Sequence, residues 1–143
     1  MNRETLIEEL KRDEGWRASA YKDTEGWTTI GYGFLVDERL NGQMPESIGE
    51  MWLTHNVQML EKSLRLAFPW FDEQPDPVQR ALANMAYQLG IGGLKGFKKT
   101  LSLIEAGRYY EAADEALNSK WAEQTPRRAR RVSGMIRSGA YCN

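Results

Sequence analysis

One stretch of strand-forming residues interrupts a chain whose periodicity is otherwise helical, and it restricts the fold more than any other feature. Between Ala18 and Val36 the residues Tyr21, Trp27, Thr28, Thr29, Ile30, Tyr32, Phe34 and Val36 favour extended backbone. The run breaks at Thr24-Glu25-Gly26 and is eased at Gly31 and Gly33. This pattern predicts a small antiparallel sheet of two or three strands. Helices must then supply the rest of the core, so the chain reads as α+β.

The flanking segments carry helical signals. Leu6, Ile7 and Leu10 recur at helical spacing after Asn2, a residue suited to an N-cap, and Gly15 is placed to end that helix in a left-handed conformation. Residues 41–45 read as a loop. Ser47 is placed to cap a long helix that reaches about Phe68, with Met51, Leu53, Val57, Leu60 and Leu64 as its apolar stripe and Pro69 as its stop. Asp76-Pro77 reads as N-cap and first helical residue. The helix it opens carries Ala81, Leu82, Ala83, Met85, Ala86 and Leu89, which marks it as a buried central helix, closed at residues 90–93. Short helices are predicted over about 95–106 and 108–118. A last one follows Thr125-Pro126 to about Arg137. The expected organisation is one domain over residues 1–143, in two lobes. A small sheet lobe covers about 15–60, and a larger all-helical lobe covers about 1–14 plus 61–143, joined by the long middle helix. A cleft between lobes is a common place for a ligand.

Composition narrows the chemistry. A chain of 143 residues with 41% hydrophobic content and five Trp can bury a real core. The net charge of -1 gives no general bias toward nucleic acid or an anionic membrane. One cysteine, Cys142, leaves no internal disulfide, and with one histidine, His55, it argues against a protein-caged zinc site. No cofactor is implied. The first residues carry no apolar signal core and no run reaches membrane-spanning length, so synthesis is expected to finish in the cytosol. The arginines at 127, 128, 130, 131 and 137 make the last helix basic. That is an ordinary solvated face, or a local patch that attracts an anionic polymer.

Two carboxyls stand out. Glu14 falls at the end of the first helix, and Asp23 falls on the turn between two strands, with the Thr29 hydroxyl on the next strand. Cleaving a glycosidic bond requires protonation of the leaving oxygen while a second carboxyl activates water or stabilises charge. The negative end of a helix dipole favours a protonated Glu14, and a polar turn favours an ionised Asp23. Thr29 both donates and accepts, as a water-holding residue must. Glu-Gly at a helix end and Asp in a turn also occur in proteins without activity, so the spacing alone leaves both readings open.

The order of motifs goes further. Glu14-Gly15 is followed by Tyr21-Lys22-Asp23-Thr24-Glu25-Gly26 and Thr29-Ile30-Gly31-Tyr32-Gly33. A second block runs from Ala81 to Gly90, then Gly96-Phe97, Glu111-Ala112-Ala113, Lys120-Trp121, Gln124-Thr125-Pro126, Arg128-Ala129 and Arg131-Val132. In both blocks the chain resembles the phage-type lysozymes, or endolysins, over nearly its whole length. The resemblance implies a lysozyme-like two-lobed fold and a muramidase that cleaves the β-1,4 bond between N-acetylmuramic acid and N-acetylglucosamine by inversion. By the same resemblance Glu14 matches the general acid, Asp23 the general base and Thr29 the hydroxyl that helps place the water. In an inverting enzyme the carboxyls stand roughly 6.5–9.5 Å apart. Leu35, Tyr87, Gln88, Thr100 and Glu115 fall at substrate-contacting positions, and Arg128 matches an arginine that approaches the acid.

It further implies peptidoglycan glycan strands as substrate and a monomer with no stable membrane insertion and no nucleic-acid partner. The enzyme would be held in the host cytoplasm until a holin opens the membrane, then act in the periplasm to release phage. Two residues depart from the pattern. Phe34 stands where many relatives carry histidine, and Glu115 where a neutral amide is common. The rival readings are a lytic transglycosylase, a wall-binding module without activity, and a DNA-binding helical protein.

Overall fold

The computed structural model describes residues 1–22, 28–32, 34–35 and 45–142. Asp23, Trp27, the 24–26 turn and the 41–44 part of the expected loop lie outside the described residues. The described chain is mostly helical, and it divides into two compact units.

The first unit is Arg3–Gln58. It opens with helix α1 (Arg3–Glu14), whose Leu6 and Leu10 are fully buried. Gly15 adopts φ 70° and its N–H bonds to the Lys11 carbonyl at 2.9 Å, so the helix ends where a residue without Cβ can turn left-handed. The sequence groups this helix with the helical part, but it clusters with the strands. Those strands are β1 (Arg17–Lys22), β2 (Thr28–Gly31) and β3 (Phe34–Leu35), antiparallel and in the order β1-β2-β3. Tyr21 pairs with Thr29 and Arg17 with Gly31, so the ladder is irregular between them. Thr29 pairs on its other side with Leu35. Thr29 is therefore a central-strand residue, paired in register with both edge strands.

Helix α2 (Glu46–Ala67) begins one residue before Ser47, and the Pro45 carbonyl accepts the first helical bonds from Ile48 and Gly49. Ser47 thus lies inside the first turn and is not the cap. Leu53, Val57 and Leu64 are buried, but Met51 is 68% exposed. At 100° per residue Met51 lies roughly 160° around the helix from Leu53, so it falls off the buried stripe.

The second unit is Met1–Asn2 with Met59–Asn143. Its central element is α3 (Asp76–Lys95), where Val78, Ala81, Leu82, Ala83, Met85 and Ala86 are buried. The cap residue is Pro75, and Asp76 stands inside the first turn. There burial pushes its carboxyl up, but Arg80 and the Asn2 N–H outweigh this and hold it below the usual carboxylate range. Gly90 closes the regular helix that starts at Asp76, as expected. It does so with φ 76° and ψ 164°, and helical backbone then resumes to Lys95. That conformation is essentially restricted to glycine, and no atom lies within 4 Å of a Cβ placed there. Gly90→Ala should therefore cost about 1–3 kcal/mol through backbone strain alone, measured by denaturant unfolding.

After α3 come α4 (Lys98–Glu105), α5 (Tyr109–Leu117), α6 (Lys120–Gln124) and α7 (Pro126–Ser138), of which α7 packs on α3 and α5 packs on α4 and α7. Helix α5 buries Ala112, Ala113 and Ala116, small side chains that suit close helix packing, and α7 buries Ala129, Val132 and Ile136. Helix α6 is absent from the sequence reading. It starts at Ser119, whose Oγ accepts from the Ala122 N–H at 3.2 Å. Thr125 is the N-cap residue of α7 and Pro126 its first residue, as expected, but the Thr125 side chain makes no capping bond; its hydroxyl turns back and donates to the Trp121 carbonyl at 3.0 Å. Among the described residues no helix is long and apolar enough to cross a membrane.

Candidate active site

Three of the predicted site residues belong to the Arg3–Gln58 unit. Glu14 is the last residue of α1 and is half-buried. Thr29 is 5% exposed on β2. Leu35 is its backbone partner on β3. Helix α1 and the sheet are joined by only two residues, Gly15 and Trp16, so the chain itself holds Glu14 next to the strand system. Asp23 follows β1 directly and is outside the described residues.

The same unit holds a cluster, reached from α1 one turn before Glu14, that the sequence reading does not single out. Lys11 donates to Glu50 Oε1 at 2.6 Å and to Glu8 Oε1 at 3.2 Å. The Glu50 hydrogen bond outweighs burial and raises the Lys11 ammonium above its ordinary value. Tyr32, just past β2, is 2% exposed and donates its hydroxyl to Glu46 Oε1 at 2.9 Å. Burial first, then the Glu46 carboxylate, pushes the phenol up to about 12. Its ring lies 5.1 Å from that of Trp16, between centroids. Only the charge spacing on α1 and the aromatic pair flanking the motif hint at this cluster in the sequence. The partners Glu46 and Glu50 lie far along the chain.

The other predicted residues belong to the Met59–Asn143 unit. Tyr87 and Gln88 are half-buried near the end of the regular part of α3, just before Gly90. Gln88 Oε1 accepts from Trp121 Nε1 at 2.9 Å, and the Trp121 ring packs edge-on against Phe97 with centroids 5.8 Å apart. Arg128 Nε donates to Asn84 Oδ1 at 2.9 Å, and Asn84 is buried within α3. Glu115 meets Lys99 at 3.3 Å, an exposed pairing that contributes little to stability. Thr100 is 2% exposed, so its hydroxyl is closed off from solvent. A concavity of about 360 Å³ opens in this unit beside Trp121, lined by Leu89, Phe97, Lys120 and Gln124. None of the predicted site residues that are described lines it.

Residues 11–138 match the model of the phage lysozyme family. The chain is 33% identical over 156 aligned residues to probable T4-type lysozyme 1 of Dictyostelium discoideum, covering 91% of this chain and 92% of that protein. It is 33% identical over 161 residues to the pre-baseplate central spike protein Gp5 of Enterobacteria phage T4, where 94% of this chain matches 28% of the longer protein. The peptidoglycan hydrolase gp36 of Pseudomonas phage phiKMV is also 33% identical, over 129 residues that make up 85% of this chain and 14% of that protein. The chain belongs to the phage lysozyme family and is a glycoside hydrolase of the muramidase kind.

Proposed function

We propose that this lysozyme cleaves the β-1,4 bond between N-acetylmuramic acid and N-acetylglucosamine in bacterial peptidoglycan with inversion. Glu14 protonates the leaving oxygen, Asp23 takes a proton from the attacking water, and Thr29 holds that water. The observation that carries this reading is the family match over residues 11–138, which spans all three groups in the family's order. The placement of Glu14 at a helix end, two residues from the sheet that holds Thr29, is consistent with it. Tyr87, Gln88, Glu115, Arg128 and Leu35 would contact or order the glycan, within a single two-lobed lysozyme-like domain acting as a monomer; Thr100, closed off from solvent, would not reach it. Host lysis after a holin opens the membrane is the corresponding biological role.

The test is turnover of purified peptidoglycan, with the released fragments resolved by mass spectrometry and their first-formed anomer by NMR. Hydrolysis with inversion yields reducing ends that appear first as the α-anomer. Asp23→Asn should lose most turnover while retaining the wild-type circular dichroism spectrum. Near-normal turnover in that variant would sink the inverting assignment, and anhydro products would favour a transglycosylase. Retention on the polymer without fragment release would leave a binding module.

A further inference from the structure

Both elements that carry the proposed acid and water-holding groups are seated on the same two turns of a third element. From α1, Lys11 reaches α2 through its 2.6 Å bond to Glu50, and Trp16 packs against Gly49. A Cβ built on Gly49 would fall 2.3 Å from Trp16 Cζ3, so the indole rests directly on the helix backbone. From β2, Tyr32 reaches α2 through its 2.9 Å bond to Glu46. Positions 46, 49 and 50 are three and four apart and share one face of a helix. The two arms also touch each other, through the Trp16–Tyr32 ring contact at 5.1 Å and the Lys11 ammonium 5.9 Å from the centre of the Tyr32 ring.

Tyr32 closes this arrangement. It lies three residues after Thr29 in the same run of chain, and its hydroxyl is tied to a carboxylate on an independent element. We propose that Tyr32, through its hydrogen bond to Glu46, is a positioning residue that fixes Thr29 relative to the helix end bearing Glu14. This inference rests on the catalytic reading above. The phenol touches no reacting atom; it acts by holding the strand. Small displacements of a catalytic group lower turnover far more than they lower substrate binding when the binding contacts lie elsewhere.

Tyr32→Phe keeps the ring and its contact with Trp16 and deletes only the hydroxyl. Glu46→Ala deletes the acceptor from an exposed position, where folding is insensitive to the change. Each should lower kcat on soluble glycan fragments about tenfold with KM within about twofold of wild type. The double variant should be no slower than either single one, because both remove the same bond. Glu46→Gln retains an acceptor oxygen and should restore most of the loss. Wild-type kcat in both single variants would overturn the proposal, as would a loss in the double variant equal to the product of the two. So would a change confined to KM. Glu14→Gln assayed in parallel separates the two ideas. If Glu14→Gln is active, the acid assignment fails; if it is dead while Tyr32→Phe and Glu46→Ala turn over normally, only the positioning role fails.

Discussion

Glu14→Gln is expected to abolish clearing of purified peptidoglycan while leaving the thermal transition close to that of the wild type. The substitution preserves shape and hydrogen-bonding length but leaves no proton to give to the glycosidic oxygen. General-acid catalysis contributes on the order of 10²–10⁴ in rate, so residual turnover should fall near the limit of a turbidity assay. The fold should tolerate the change because Glu14 is the last residue of α1 and only half-buried, while the packing of that helix depends on Leu6 and Leu10. A neutral amide at a helix C-terminus also removes a carboxylate from the unfavourable end of the dipole. Clearing at more than a tenth of the wild-type rate would remove Glu14 from the role of acid.

Phe71→Ala is expected to give the largest loss of stability from one side chain. Phe71 is fully buried in the short 3₁₀ turn Phe71–Glu73 between α2 and α3, and its carbonyl accepts from Gln79 Nε2 at 3.1 Å. Truncating a buried phenylalanine costs about 3–5 kcal/mol, from lost transfer energy and the cavity left behind. For a domain of this size that lowers Tm by on the order of 10 °C. The turn has only three residues and is flanked by Pro69 and Pro75, so it has little freedom to collapse into the void. Calorimetry should show one transition at lower temperature. A shift under about 2 °C would mean that the turn does not anchor this unit.

The sequence discloses those parts of the molecule where local chemistry and tertiary packing agree. Leu6, Leu10 and Gly15 define α1 because periodicity and a left-handed terminus point the same way. The long apolar run from Ala81 to Ala86 defines the buried part of α3 for the same reason. The differences arise where a neighbour decides. Thr125 takes the cap position before Pro126, yet its hydroxyl has a better partner in the Trp121 carbonyl than in the helix it opens. Ser119 and α6 pass unnoticed because five residues are too few to show a period.

The candidate site follows the same division. Glu14 and Thr29 are legible from an ordered motif. Lys11, Tyr32 and their carboxylate partners are not, because each pair joins residues 14 to 39 positions apart with no periodic signal between them.

The bond between Trp121 and Gln88 has a directional consequence. An indole N–H only donates, so it selects the oxygen end of the Gln88 amide and commits the nitrogen to the opposite side. The remaining end of that side chain offers hydrogens alone. Any molecule that docks there must bring lone pairs, as an acetamido or peptide carbonyl does. One presenting only N–H or O–H hydrogens at that point would meet two donors facing each other.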